Sequence, residues 1–134
     1  MEQFVWDRER FSVGHGLLDA EHQQVLEIIN RLIQQLKRGE HNPDDVIEVL
    51  LELNSYAENH FQNEERLLRQ ALYPDLQQQK DAHEEYVAQI SQFMMQLERG
   101  SVNFVHLLEF IHNWWQQHIL NDDMAFKPLL QQCS

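Results

Sequence analysis

His60 and Glu64 stand one helical turn apart in Asn59-His60-Phe61-Gln62-Asn63-Glu64-Glu65. That spacing sends both side chains off the same face of a helix. The face is apolar: Val46, Leu50, Leu53 and Ala57 precede His60 along it, and Leu67 and Leu68 follow Glu64. Glutamate is almost never buried unless something pairs with it, because an isolated carboxylate out of water is very costly. Such a pair asks for a compensating cation, and a metal ion supplies one. Taken alone, the pair reads more readily as a structural His–Glu hydrogen bond, since short ligand-like spacings arise often by chance.

The elements that must position this pair follow from the apolar spacing. Residues 1–18 read as an irregular arm, with Phe4, Trp6, Phe11 and Val13 to pin it and Gly14 and Gly16 to break it. A first helix is predicted from Asp19 as N-cap, with Leu18 as a staple before it. Its inward stripe is His22, Val25, Leu26, Ile29, Leu32, Ile33 and Leu36, and Gly39 stops it. Asn42-Pro43 opens a second helix that runs through His60 to about Gln70, where the turn before Pro74 ends it. A third runs from Pro74 or Asp75 to Glu98, with Leu76, Gln79 or Lys80, His83, Val87, Ile90, Met94 and Leu97 inward, and Gly100 closes it. The fourth, capped by Ser101 or Asn103, carries Phe104, Leu107, Leu108, Ile111, Trp115, His118 and Ile119. It fades near Asp122-Asp123, with Pro128 as its close. Short turns between amphipathic helices, without strand-like alternation, predict an all-α, up-down-up-down four-helix bundle. One domain is expected over residues 1–134, with the arm at 1–18 and the bundle at 19–127.

Composition narrows the partners. Twenty-two acids against ten bases give a formal charge of −12 with histidine neutral, which disfavours nucleic acid and anionic membrane surfaces. No apolar run approaches membrane-spanning length, and the N-terminus lacks the basic start and apolar centre of a secretory signal. The single cysteine, Cys133, has no internal partner for a disulfide. These features fit a cytoplasmic protein. The eight histidines are the oddity.

Sorted by face, they divide. His22, His60, His83 and His118 each fall on the apolar stripe of a different helix, whereas His15 is in the arm, His41 in a loop, and His106 and His112 off the main stripe. One histidine on an apolar face is usually a satisfied core residue. One per helix, beside a core glutamate, points instead to a metal held between facing helices. Imidazole with carboxylate suits iron or zinc better than magnesium or calcium. An acid on the fourth helix belongs with them, and same-face spacing picks Asp122, four after His118, over Asp123.

The chain resembles the hemerythrins, specifically the single-domain bacterial type (bacteriohemerythrins). The resemblance is carried by Val13-Gly14 through Leu18-Asp19-Ala20-Glu21-His22-Gln23 and by His60-Phe61-Gln62-Asn63-Glu64-Glu65. It continues through Tyr73-Pro74-Asp75, His83-Glu84-Glu85-Tyr86 and Trp114-Trp115-Gln116-Gln117-His118-Ile119 with Asp123. It implies a non-heme di-iron centre, oxo- or hydroxo-bridged, that reversibly binds dioxygen. His22 and His60 would hold one iron, His83 and His118 the other, and Glu64 and Asp123 would bridge them. The family places its aspartate five after the histidine, which favours Asp123, with Asp122 the spacing-based alternative.

One position departs from the pattern. The family's third helix carries His-x-x-x-His, and Gln79 stands where the first of these would be. Gln79 would ligate through its carbonyl oxygen, hold a water, or leave the position open; His15 is a remote candidate to replace it. Phe61, Trp115 and Ile119 are candidates for the dry wall of an oxygen pocket. The resemblance implies an oxygen-binding protein (storage, transport or sensing) more than an enzyme, and no catalytic residues stand out. The alternatives are a di-iron oxidase or peroxide-reducing enzyme using an open iron position, and an iron-binding bundle that has lost oxygen chemistry. Beyond dioxygen, the sequence names no partner.

Overall fold

A computed structural model describes the backbone of residues 2–133 and the side chains of residues 2–130, so the Cys133 side chain lies outside the described residues. Four long helices make an up-down-up-down bundle: α2 (Gly16–Lys37), α3 (Pro43–Gln70), α4 (Leu76–Arg99) and α5 (Phe104–Gln117). Neighbours in the chain pack together, α2 on α3 and α3 on α4, and α2 also meets α5. A one-turn helix, α1 (Arg8–Phe11), precedes them. Beyond α5 the chain continues helically through a π-helical turn (His118–Asp123), a 3-10 turn (Met124–Phe126) and α6 (Lys127–Cys133).

The arm is more ordered than its glycines imply. α1 forms because Asp7 caps it, accepting from the Glu9 N–H. Phe4 is clipped to α2 by a reciprocal pair of bonds with Asn30, at 2.7 and 2.8 Å. Gly14, at φ 76, makes the left-handed turn into α2 that a side chain would oppose. α2 begins four residues earlier than its acid suggests, with His15 and not Asp19 as the N-cap. Asp19 sits inside the first turn, where its carboxylate accepts from the Ser12 hydroxyl and the Val13 N–H and so ties the arm down. An aspartate serves either place, since the helix dipole favours acid throughout the first turn.

Asn42 caps α3 on the Asp44 N–H at 2.9 Å, with Pro43 first in the helix. α3 ends with Leu72 at φ 57, a left-handed conformation, which lets the Tyr73 N–H reach back to the Leu68 carbonyl at 2.9 Å. α4 starts at Leu76 after Asp75 and stops at Gly100, φ 71. Its inward stripe is Gln79, His83, Tyr86, Ile90 and Leu97. Val87, expected inward, is 39% exposed, and Tyr86 takes its place because the stripe advances three residues from His83 there and not four. Asn103 caps α5 on the His106 N–H. Pro128 does not close the fourth helix. It lies in the first turn of α6, where a missing N–H costs nothing.

The apolar core is split. The main cluster fills the bundle from Phe11 and Val25 to Trp115 and Ile119, and a smaller one joins Val13, Leu18, Leu68, Phe126 and Leu130. On α3, Ala57 and Phe61 belong to the first and Leu68 to the second. His60 and Glu64 occupy the layer between, fully buried.

Candidate metal centre

Three of the long helices and the π-helical turn that follows α5 send polar groups into that layer. α2 supplies His22, α3 supplies His60 and Glu64, α4 supplies Gln79 and His83, and the π-helical turn supplies His118 and Asp123. All seven are buried. Donor atoms of His22, His60, Glu64, His118 and Asp123 lie within 4.8 Å of one another. His83 joins through Glu64, its Nε2 standing 3.1 Å from Oε1.

Glu64 stands between two pairs of histidines. Its Oε2 is 3.0 Å from His60 Nε2 and 3.9 Å from His22 Nε2. Its Oε1 is 3.1 Å from His83 Nε2 and 3.4 Å from His118 Nε2. Asp123 Oδ2 also touches both pairs, 2.8 Å from His22 and 3.2 Å from His118. His22 and His60 approach each other to 3.0 Å. Donors bound ~2.1 Å from one ion at right angles sit about 3 Å apart, so these separations match the edges of a coordination shell.

Spacing on an ideal helix selects Asp122, but the cluster contains Asp123. The π-helical turn is the reason. Its hydrogen bonds close from i to i+5, so the residue five after His118 returns over it. Asp123 is fully buried, while the Asp122 side chain is 36% exposed and faces His118 from outside, 3.6 Å from Nδ1.

That outside contact is part of a pattern. His60 Nδ1 meets Glu21 at 3.1 Å, and His83 Nδ1 meets Glu65 at 2.9 Å. Glu21 is itself fixed by the side-chain amides of Asn59 and Asn63, at 3.2 and 2.6 Å. A carboxylate facing Nδ1 accepts a hydrogen bond from its N–H, which fixes the proton there and leaves Nε2 as an inward lone pair, the arrangement typical of metal-bound histidine. Sequence reading passed over Glu21 and Glu65. Their adjacency to His22 and Glu64 was the available cue, but which nitrogen they face depends on how the helices pack.

The electrostatics ask for positive charge. Burial pushes Asp123 up to about 8, with Glu64 facing it adding to the rise. Glu64 itself is held well below the usual carboxylate range: burial opposes this, but His118 and His60 prevail. Burial also works against a charged His60, yet Glu64 and Glu21 raise it to about 9. His118 is likewise raised, its burial outweighed by Asp123 and Glu64. His22 goes down, by burial and then by the neighbouring His60. Protons thus stand in for a cation between two buried carboxylates. Among the described residues several buried ligand atoms also make no hydrogen bond although most crowd one another, among them Glu64 Oε2, Asp123 Oδ1 and Oδ2, His118 Nε2 and Gln79 Oε1. The residues fit a metal centre.

Residues 13–130 match the sequence model of the hemerythrin HHE cation-binding domain. The chain belongs to the hemerythrin family. Hemerythrins hold a di-iron centre. A bacteriohemerythrin from Clostridium acetobutylicum is 28% identical over 127 residues, covering 92% of this chain and 98% of that protein. Myohemerythrin-1 from Phascolopsis gouldii is 27% identical over 130 residues, with 96% of each covered. A crystal structure of wild-type hemerythrin superposes with a TM-score of 0.85 at 23% identity, over 97% of this chain and 99% of that one, which shows the shared fold.

Within this hemerythrin-family bundle the remaining candidates fall around or away from the centre. Phe61 stacks on His83 with ring centroids 4.0 Å apart, and Trp115 lies 6.0 Å from His60. Both are buried with Ile119. Trp114, not singled out beforehand, stacks on His118 at 4.7 Å. His15 caps α2, accepting from the Leu18 N–H, and so has another use than ligation. His41 stacks on Phe104 and His112 on Phe4, while His106 is exposed. Gln79 is buried, and its amide N–H donates to the Asp122 carbonyl at 2.8 Å. A polar cleft of about 170 Å³, lined by Tyr73, Asp75, Gln79 and Asp122 among others, opens there to solvent.

Proposed function

We propose that this protein reversibly binds dioxygen at a di-iron centre, in storage, transport or sensing. His22 and His60 would hold one iron and His83 and His118 the other, with Glu64 and Asp123 as the carboxylates shared between them. The observation that carries this reading is Glu64, whose two oxygens each face a different histidine pair at 3.0 and 3.1 Å. Two irons held there would supply a reversible exchange of two electrons with dioxygen.

The chain's own residues do the rest. Glu21 and Glu65 hold the outer nitrogens of His60 and His83, fixing each ring with its Nε2 inward, and Asp122 lies 3.6 Å from the outer nitrogen of His118. Phe61, Trp115 and Ile119 form the dry wall beside the histidines. Excluding water there keeps protons from the centre and opposes loss of oxygen in a reduced form. The π-helical turn sets Asp123 opposite Glu64. We place residues 1–134 in one domain working in the cytoplasm. The charge of −12 supports a protein without nucleic-acid partners, and no described helix is long and apolar enough to cross a membrane. The cleft beside Gln79 favours a second reading, peroxide reduction at the position held by His83 and His118.

The test begins with purified protein reconstituted with ferrous iron. Two irons per chain, charge-transfer absorption, and spectral change reversed by removing oxygen are expected. Steady turnover of peroxide with a reductant, without reversible oxygen uptake, would favour the second reading.

A further inference from the structure

We propose that Gln79 is a metal ligand through its amide oxygen, at the position held by His83 and His118; the proposal rests on the di-iron reading above. Gln79 is 5% exposed and its Oε1 is buried without any hydrogen-bond partner among the described residues. An amide oxygen left in this state has lost its water and gained nothing in exchange. Native proteins carry few such groups, and a cation is one of the explanations for those that persist. The orientation of the amide is fixed. Its nitrogen lies 2.8 Å from the Asp122 carbonyl, which only accepts, so that end must be the NH₂ and the buried end the oxygen.

The arrangement repeats what the histidines do. His60 and His83 each turn the outer Nδ1 to a carboxylate and the inner Nε2 toward Glu64. Gln79 has the same division, with the Asp122 carbonyl as its outer acceptor. It precedes His83 by one turn of α4, so both residues belong to one face. Its partner Asp122 adjoins Asp123, whose carboxylate is in the cluster. The hydrogen bond therefore ties α4 to the turn that delivers Asp123.

The two positions then differ in kind. Each has two imidazoles and shares both carboxylates, but the one near His83 gains a neutral oxygen donor. Oxygen donors suit the harder, earlier divalent ions and bind them less firmly than imidazole binds iron. Metal should enter in two unequal steps, the weaker one at this position.

Titration of the metal-free full-length protein with Co²⁺, followed by its visible absorption, tests this. The parent should take up two equivalents with distinct affinities. Gln79→Leu should weaken the second equivalent by tenfold or more and spare the first, a loss at least as large as those seen for outer partners of ligands. Gln79→His should tighten the second equivalent. A Gln79→Leu protein whose second step lies within twofold of the parent would overturn the proposal. So would equal weakening of both steps in the leucine and histidine variants, which is the mark of a brace alone. If Gln79→Leu lowers the melting temperature of the metal-free protein, Gln79→His decides, and absence of tightening overturns the assignment. Fewer than two equivalents in the parent would overturn the di-iron reading itself, and this one with it.

Discussion

Glu64 is the residue on which the centre turns, because it is the one carboxylate within 3.1 Å of both histidine pairs. Glu64→Ala should prevent loading of two irons and lower the melting temperature of the protein saturated with iron, since ligand binding stabilises by mass action and the surviving histidines face a vacated core. Iron content and melting temperature, compared with the parent, check this. Asp122 and Asp123 make a finer contrast. Asp123→Asn removes a buried anion from the cluster and should abolish the second equivalent of metal. Asp122→Asn only slackens the outer hold on His118 and should cost roughly 10–100-fold in affinity, measured by chelator competition. Much of this was legible in the sequence: a histidine on each inward stripe and Glu64 one turn after His60 follow from helical period alone. Spacing alone could not choose between the two aspartates, and only the family resemblance pointed to Asp123, because the choice depends on five-residue hydrogen bonding at the end of α5, where an ideal helix of 3.6 residues per turn gives the other answer. Tyr86 replacing Val87 is a similar case, settled by whether the stripe steps three or four.

Among the elements, the caps show what local chemistry can tell. Asn42-Pro43, Gly100 and Asn103 set helix ends where residue type alone places them. His15 took the cap that Asp19 is chemically suited to, because Asp19 was drawn to Ser12 and Val13 in the arm, a contact no local pattern encodes. The end of α3 is the least favourable of these. Leu72 stands at φ 57 and is 86% exposed, so it bears left-handed strain without gaining burial. Leu72→Gly should raise stability by about 0.5–1 kcal/mol, the cost of the left-handed conformation less the added freedom of glycine when unfolded. Chemical denaturation of the metal-free protein measures it, and a loss of stability would mean the exposed leucine has packing not seen here.

Across the whole molecule the centre makes stability and metal loading depend on pH with opposite signs. His60 is raised from 6.5 to about 9 and Asp123 from 3.8 to about 8, and His118 is also raised. In each case the folded, metal-free protein holds a proton more firmly than the unfolded chain, so its stability falls as pH rises through these values. His22 and Glu64 are lowered, and they act with the opposite sign below 6.5 and 4.5, which leaves the range above pH 6.5 to the raised groups. Metal must displace the same protons, so its affinity rises with pH. The gap in melting temperature between loaded and metal-free protein should therefore widen from pH 6.5 to 9. Proton release during metal binding, read by calorimetry in buffers of different ionisation heat, would confirm the origin.

The central claim is that this hemerythrin-family bundle takes up dioxygen and gives it back. The most direct measurement is a titration of the reduced, iron-loaded protein with dioxygen, followed by its removal under vacuum or argon. One dioxygen consumed per pair of irons, with the reduced spectrum restored when oxygen is withdrawn, is the result predicted here. Uptake that leaves the iron permanently oxidised, or no uptake at all by protein carrying two irons, would contradict it.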